Sequence, residues 1–219
     1  MNETPAAQTE EQLSAGQQIK NFFFEAMDLL EVGLLTFFVF MLIFAYVFKP
    51  VSVSGSSMVP TLRDDDSLIM FTLTKHPTPG RIVVIDDQKS AIFADETQTD
   101  LKIKNGYGSI LVKRVIAVGG QELNIDFETG AVAVDGKQLE EPYIADLTKR
   151  NDGAFQYPFT IPEGYIFVMG DNRLHSTDSR SSAVALIPED EVIGTVVMRY
   201  NRVDTAIEKW TDRYDFLLW

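Results

Sequence analysis

Three polar blocks in this 219-residue chain hold the residue types from which a hydrolytic site is built. The first, Gly55-Ser56-Ser57-Met58-Val59-Pro60-Thr61-Leu62, offers serine hydroxyls. The second is Lys113-Arg114-Val115-Ile116-Ala117-Val118-Gly119-Gly120, whose lysine ends the apolar run Ile110-Leu111-Val112. The third, Gly170-Asp171-Asn172-Arg173-Leu174-His175-Ser176-Thr177-Asp178-Ser179-Arg180, follows the apolar stretch Tyr165–Met169 directly. Packed polar loops after buried strands are where sites are usually built. A serine hydroxyl is a poor nucleophile until a base takes its proton. His175 is one candidate base; His76, in the turn His76-Pro77-Thr78-Pro79-Gly80, reads as a surface histidine. Lys113 is the other. Apolar surroundings disfavour an ammonium and lower a lysine pKa by up to several units. The neutral amine can then act as base to a serine, the Ser-Lys variant of triad logic. The local pattern alone leaves Lys113 open between this role and that of a strand-end lysine reaching water.

The elements that must position these residues begin with an anchor. Val32–Phe48 runs 17 residues without a charge, bracketed by Glu31 and Lys49, at the short limit for crossing a bilayer. The 31 residues before it carry one base, Lys20, against six acids. A cleaved signal peptide calls for a basic n-region and a small-x-small cleavage site, so an uncleaved anchor is expected. Charge does not orient it, with Lys20 on one side and Lys49 and Arg63 on the other. Residues 1–17 read as a disordered tail. Residues 18–30 read as an amphipathic lead-in, from the helical spacing of Ile19, Phe22, Phe23, Ala26, Met27 and Leu30.

Beyond Pro50 the period changes to that of strands. Residues 67–71, 81–85, 109–112, 123–126, 131–134, 137–139, 165–169 and 192–200 are short runs bounded by turn signals such as Asp135-Gly136. No convincing helix pattern follows the anchor. Residues 49–219 are therefore expected to form a mainly β domain, a folded antiparallel or barrel-like sheet, with a hairpin-rich insertion at about 122–164. Asp64-Asp65-Asp66 reads as a solvated turn. The absence of cysteine removes disulfides and thiolate chemistry. A formal charge of −13 argues against nucleic acid, which needs clustered cations.

The three blocks, in this order behind an N-terminal anchor, resemble bacterial type I signal peptidases. The first matches that family's Gly-x-Ser-Met-x-Pro-Thr-Leu box and the second its Lys-Arg-Val-Ile-Ala-x-x-Gly-Gly box. The third matches Gly-Asp-Asn-Arg-x-x-Ser-x-Asp-Ser-Arg. The resemblance covers about residues 32–202 and is to the short, single-span branch. It implies a membrane serine endopeptidase that removes signal peptides from secretory preproteins after a small-x-small, commonly Ala-x-Ala, motif. It implies no metal or cofactor. The tail would be cytoplasmic and the catalytic domain extracytoplasmic.

Residue by residue, the resemblance makes Ser57 the nucleophile and Lys113 the general base. Ser176 would orient the lysine, Asp178 and Arg180 would brace the site as an ion pair, and Arg114 would support it. The Ser57 N–H would be one oxyanion donor; Gly55 stands where some members carry a second, hydroxyl donor. Val51, Val53, Gly55, Met58, Leu62 and Val112 fall where the resemblance places the substrate groove. Two departures are visible. Ala stands in the Ser181–Pro188 stretch where the family often has Gly, for which a local backbone shift is expected, and the inserted region is short. The C-terminal Tyr214–Trp219 is too short to span and would either touch the membrane interface or close the core.

Overall fold

The computed structural model describes residues 15–73, 77–95, 97–201 and 215–217. The chain divides into two units between Ala45 and Tyr46. The first contains one helix, α1 (Ala15–Tyr46), 32 residues long. At 1.5 Å per residue that is about 48 Å, more than the ~30 Å of a hydrocarbon core. Among the described residues it is the one helix long and apolar enough to cross a membrane, with a mean hydropathy of 2.3. The lead-in, which could either lie on a membrane surface or extend the span, is continuous with the span in this one helix. It begins inside the stretch read as tail and stops two residues before Phe48. Pro50 disfavours helical geometry at Lys49, and the chain is already extended from Phe48. Thr72 finishes the helix end: its hydroxyl donates to Tyr46 O at 2.7 Å and its N–H to Val47 O at 3.0 Å.

The second unit is mainly antiparallel β. In chain order its strands are β1 (Phe48–Ser52), β2 (Ser67–Phe71), β3 (Ile82–Asp86), β4 (Lys89–Phe93), β5 (Leu101–Asn105), β6 (Ile110–Val118) and β7 (Glu122–Asp126). They continue with β8 (Ala131–Val134), β9 (Lys137–Gln138), β10 (Phe159–Thr160), β11 (Tyr165–Met169), β12 (Ile187–Pro188), β13 (Val192–Asn201) and β14 (Asp215–Phe216). The main sheet has the order β1-β2-β13-β3-β6-β11-β12, with β14 added to β13. Register shifts on β13 against β2 and β3, and between Phe167 and Val168 of β11, are bulges that curl it into a half-barrel. Residues 122–160 contribute the separate sheet β10-β7-β8-β9, and β4 and β5 form a hairpin of their own.

β3 shows why the middle of the main sheet is uniformly apolar. Ile82 and Val84 join a core with Met58, Leu62, Leu68 and Val196 on one face. Val83 and Ile85 join Val115, Ile166 and Val168 on the other. A strand covered on both faces has no polar side to show. The third cluster packs Leu123, Ile125 and Val132 of the small sheet against Ile116, Phe167 and Met169, with the stacked rings of Phe155 and Phe159 between. At the C-terminus, Leu217 is buried in the first cluster while Phe216 is 70% exposed; Tyr214, Leu218 and Trp219 lie outside the described residues.

The departure in the Ser181–Pro188 stretch is absorbed at one residue. Ala185 is fully buried and has φ +58°, the left-handed conformation in which glycine is at ease. An L-residue there bears about 1–2 kcal/mol of strain. Ala185→Gly relieves it but loses a methyl worth roughly 0.8 kcal/mol and adds unfolded-chain entropy of about 0.4–1 kcal/mol. That variant should therefore melt close to wild type. Ala185→Val combines a β-branched residue at positive φ with overpacking and should lose more than about 2 kcal/mol in thermal unfolding of the detergent-solubilised protein.

Candidate active site

Ser57 sits in the loop between β1 and β2, a chain of short turns closed on itself. Asp65 N–H donates to Val53 O at 3.0 Å, Val53 N–H to Asp66 O at 2.9 Å and Leu62 N–H to Met58 O at 2.9 Å. Gly55 has φ +93°, and its N–H donates to Asp64 Oδ1 at 2.7 Å. Met58 and Leu62, both within 1% of full burial, root the loop in the core and leave Ser57 half-exposed.

Lys113 lies in mid-strand on β6, directly opposite Val83 of β3, and is 4% exposed. Its Nζ hydrogen-bonds Ser57 Oγ at 2.8 Å and donates to Val112 O at 3.1 Å. Burial pushes the amine below its ordinary value of 10.5, against the opposing pull of the Asp178 and Asp171 charges. With the amine neutral, its lone pair is in line to take the Ser57 hydroxyl proton. His175 is exposed, and its ring makes no hydrogen bond to Ser57; His76 lies outside the described residues.

The third block comes to the pair through the sheet. β11 runs antiparallel to β6 with Met169 opposite Arg114, so the next residue, Gly170, emerges beside Lys113. A Cβ on Gly170 would collide with Ser57 O and with the Ser176 side chain, so only glycine permits this approach. Asp178 and Arg180 are both fully buried and paired: Arg180 Nε and Nη2 donate to the two carboxylate oxygens at 2.8 and 2.9 Å. Gly170 N–H donates to the same carboxylate at 3.0 Å. Burial alone would raise the Asp178 pKa, but the Arg180 guanidinium outweighs it and holds the carboxyl below its ordinary range.

Ser176 departs from its expected place. Its hydroxyl is buried but makes no hydrogen bond of normal geometry, to Lys113 or to any other group; it lies against Asp178, whose negative charge it helps to stabilise. Arg114 points to the other face of β6. Its Nε and Nη2 grip Asp171 at 2.8 and 2.6 Å, Nη1 donates to Gly80 O at 2.7 Å, and the guanidinium stacks 3.8 Å from the Tyr143 ring.

Several residues with structural parts in the site were not singled out from the sequence. Asp171 also accepts the Thr61 hydroxyl at 2.5 Å, tying the third block to the serine loop. Asn172 N–H donates to Ser57 O at 3.0 Å, and its side-chain amide to Ser56 O at 3.1 Å. Arg173, fully buried, binds Glu141 at 2.6 Å and Gly170 O at 3.0 Å. The Asp64–Asp66 run is not simply solvated: Asp66 is fully buried, pairs with Arg199 at 3.3 Å, and accepts Arg63 N–H at 2.9 Å. The signal for Asp171 and Asn172 was their place in the third block.

Of the residues expected along a groove, Val53, Met58 and Leu62 are interior side chains of the core, with Val51 and Val112 packed half-exposed at its edge. The three can contribute only as floor beneath the other two. A separate cleft of about 570 Å³, lined by Thr61, Arg114, Tyr143 and Leu217 among others, is not lined by Ser57 or Lys113.

The sequence matches the family described as signal peptidase, peptidase S26, over residues 26–201. It is 32% identical over 164 residues to the probable signal peptidase I of Mycobacterium leprae, covering 62% of this chain and 56% of that protein. Signal peptidase I T of Bacillus subtilis is 33% identical over 165 residues, covering 71% of this chain and 75% of that one. A crystal structure of a signal peptidase I from Enterococcus faecalis is 22% identical, with coverage of 55% and 96% and a TM-score of 0.37.

The buried amine has a consequence for stability. Lys113 titrates lower folded than unfolded, so between its depressed value and about 10.4 the unfolded chain holds the extra proton and stability rises with pH. Denaturant titrations from neutral to alkaline pH should show this rise, and Lys113→Met should flatten it.

Proposed function

The chain belongs to the signal peptidase family, peptidase S26, and on that premise we propose that it is a membrane-anchored serine endopeptidase that removes signal peptides from exported preproteins. The observation that carries this reading is the 2.8 Å contact between Ser57 Oγ and a lysine amine buried to 4% exposure. In acylation, Ser57 Oγ attacks the scissile carbonyl as Lys113 Nζ takes its proton. The Ser57 N–H stabilises the oxyanion, and Lys113 returns the proton to the departing amine. Water then attacks the acyl-enzyme, again losing a proton to Lys113, and the serine leaves with the proton restored.

Cleavage after a small-x-small motif is supported by the half-exposed aliphatic side chains Val51 and Val112 at the edge of the core, walls that would admit short side chains and reject long ones by overlap. The family and the apolar α1 together support a single-pass protein. With the N-terminus cytoplasmic, the chain from Tyr46 onward is extracytoplasmic. Ser57 is the eleventh residue after the helix end, a reach of at most about 36 Å. The nucleophile therefore waits near the lipid surface, where a signal peptide leaves the bilayer.

Ser57→Ala and Lys113→Ala should each reduce cleavage of a preprotein carrying an Ala-x-Ala site in detergent by at least about 10³-fold, on the scale of other triads that lose a member. A serine-directed acylating inhibitor should form its adduct at Ser57. Full activity in either variant would sink the dyad, and an inert Ser57 would make the chain a binding protein on the same fold.

A further inference from the structure

The Ser57 N–H, the oxyanion donor of the reaction just proposed, shares a peptide plane with Ser56 O. A peptide unit is planar and trans, so its carbonyl and N–H point in opposite directions and turn together. Fixing the oxygen fixes the direction of the N–H.

Two donors hold that oxygen. Val59 N–H belongs to the same turn and lies 3.2 Å away. The other donor crosses from the third block: the Asn172 side-chain amide at 3.1 Å. A carbonyl oxygen can only accept, so it is the NH₂ of Asn172 that faces it. On the far side of Ser57, the next peptide plane is held by Asn172 N–H on Ser57 O at 3.0 Å. One residue thus grips the carbonyls on both sides of the nucleophile.

Asn172 is itself well anchored. It follows Asp171, locked bidentate to Arg114, and its own carbonyl accepts His175 N–H at 3.1 Å. Among the described residues the Ser57 N–H donates to no protein group. A hydroxyl cannot share the work from Gly55, and the Gly55 N–H is already taken by Asp64.

We infer that the Asn172 side chain is a positioning residue for the oxyanion site, aiming the Ser57 N–H through the Ser56 carbonyl. It also polarises that N–H, because a peptide that accepts at its oxygen donates more strongly at its nitrogen. The inference rests on the Ser57/Lys113 reading. The main-chain bond from Asn172 to Ser57 O survives any substitution, so a side-chain variant isolates this one contact.

Losing a whole oxyanion donor costs about 10²–10³ in kcat, so misdirecting one should cost roughly three- to tenfold. In the full-length, detergent-solubilised protein, Asn172→Ala should lower kcat by that factor and leave KM and the pH midpoint of kcat/KM unchanged. A small-x-small peptide aldehyde reports the same contact. Ser57 Oγ adds to its carbonyl carbon, the hydroxyl proton passes to Lys113, and the former carbonyl oxygen becomes the oxyanion. Its affinity should fall in parallel with kcat. A longer peptide of the same small-x-small sequence, with its scissile amide reduced to CH₂–NH, makes no oxyanion and should bind both proteins equally. Asn172→Asp keeps the shape but sets an acceptor against the Ser56 oxygen, and should lose more than the alanine variant. Wild-type kcat in either variant overturns the inference, as does an equal loss of affinity for aldehyde and reduced-amide peptides. An active Ser57→Ala protein would instead overturn the underlying reading.

Discussion

A lysine amine is a base only while it is uncharged, and everything at this site follows from how the chain keeps one out of water. Lys113 achieves this from the middle of a sheet. β6 is flanked by β3 on one side and β11 on the other, with Val83 directly across from Lys113 and the amine donating to Val112 O. The loop between β1 and β2 brings the Ser57 hydroxyl to the amine at 2.8 Å. Burial of this kind disfavours the ammonium, and the single short contact left to the amine that matters chemically is with Ser57.

The constraint reaches outward to the serine. A hydroxyl on an unsupported loop would sample many positions, and a displacement of about 1 Å can cost two orders of magnitude in rate. The loop is held from three directions: by Met58 and Leu62 into the core, by Arg199 to Thr61 O at 2.6 Å, and by Asp171 and Asn172 of the third block. Asp171 and Arg199 are in turn held by buried ion pairs, with Arg114 and Asp66, which are poor contributors to net stability because desolvation offsets their attraction. Their value here is geometric, since a bidentate Arg–carboxylate pair fixes both partners in a plane.

How much of this was legible depended on the kind of signal. The apolar runs of β3, of the start of β6 and of β11 announce themselves as strands, whereas Lys113 and Arg114 interrupt β6 where each meets a partner from another loop. The hairpin β4–β5 was missed, since Lys89–Phe93 and Leu101–Asn105 mix lysines with aliphatics and earn their pairing from contacts such as Ala91 with Leu186. The helix boundaries moved for a related reason: composition marks where lipid-compatible residues lie, whereas Thr72 and the β1–β2 pairing decide where the helix stops. At the site, residue types and order brought Ser57, Lys113, Asp178 and Arg180 to attention. The placement of Ser176, the burial of Asp66 and the double grip of Asn172 could not be read, because each depends on which loop faces which after folding.

The acidic neighbours of Lys113 would seem to defeat its purpose. Asp171 and Asp178 both favour the protonated lysine, and two carboxylates near an amine ordinarily keep it charged. Each, however, is matched by an arginine in bidentate geometry, Asp171 by Arg114 and Asp178 by Arg180. An ion pair presents a dipole where a lone carboxylate presents a charge, and a dipole's field falls off faster with distance. The arginines thus leave the carboxylates free to accept from Thr61 and Gly170 while weakening their pull on the amine, which burial outweighs. Arg114 and Arg180 bear on Lys113 without touching it: with both carboxylates paired, desolvation outweighs charge at the amine.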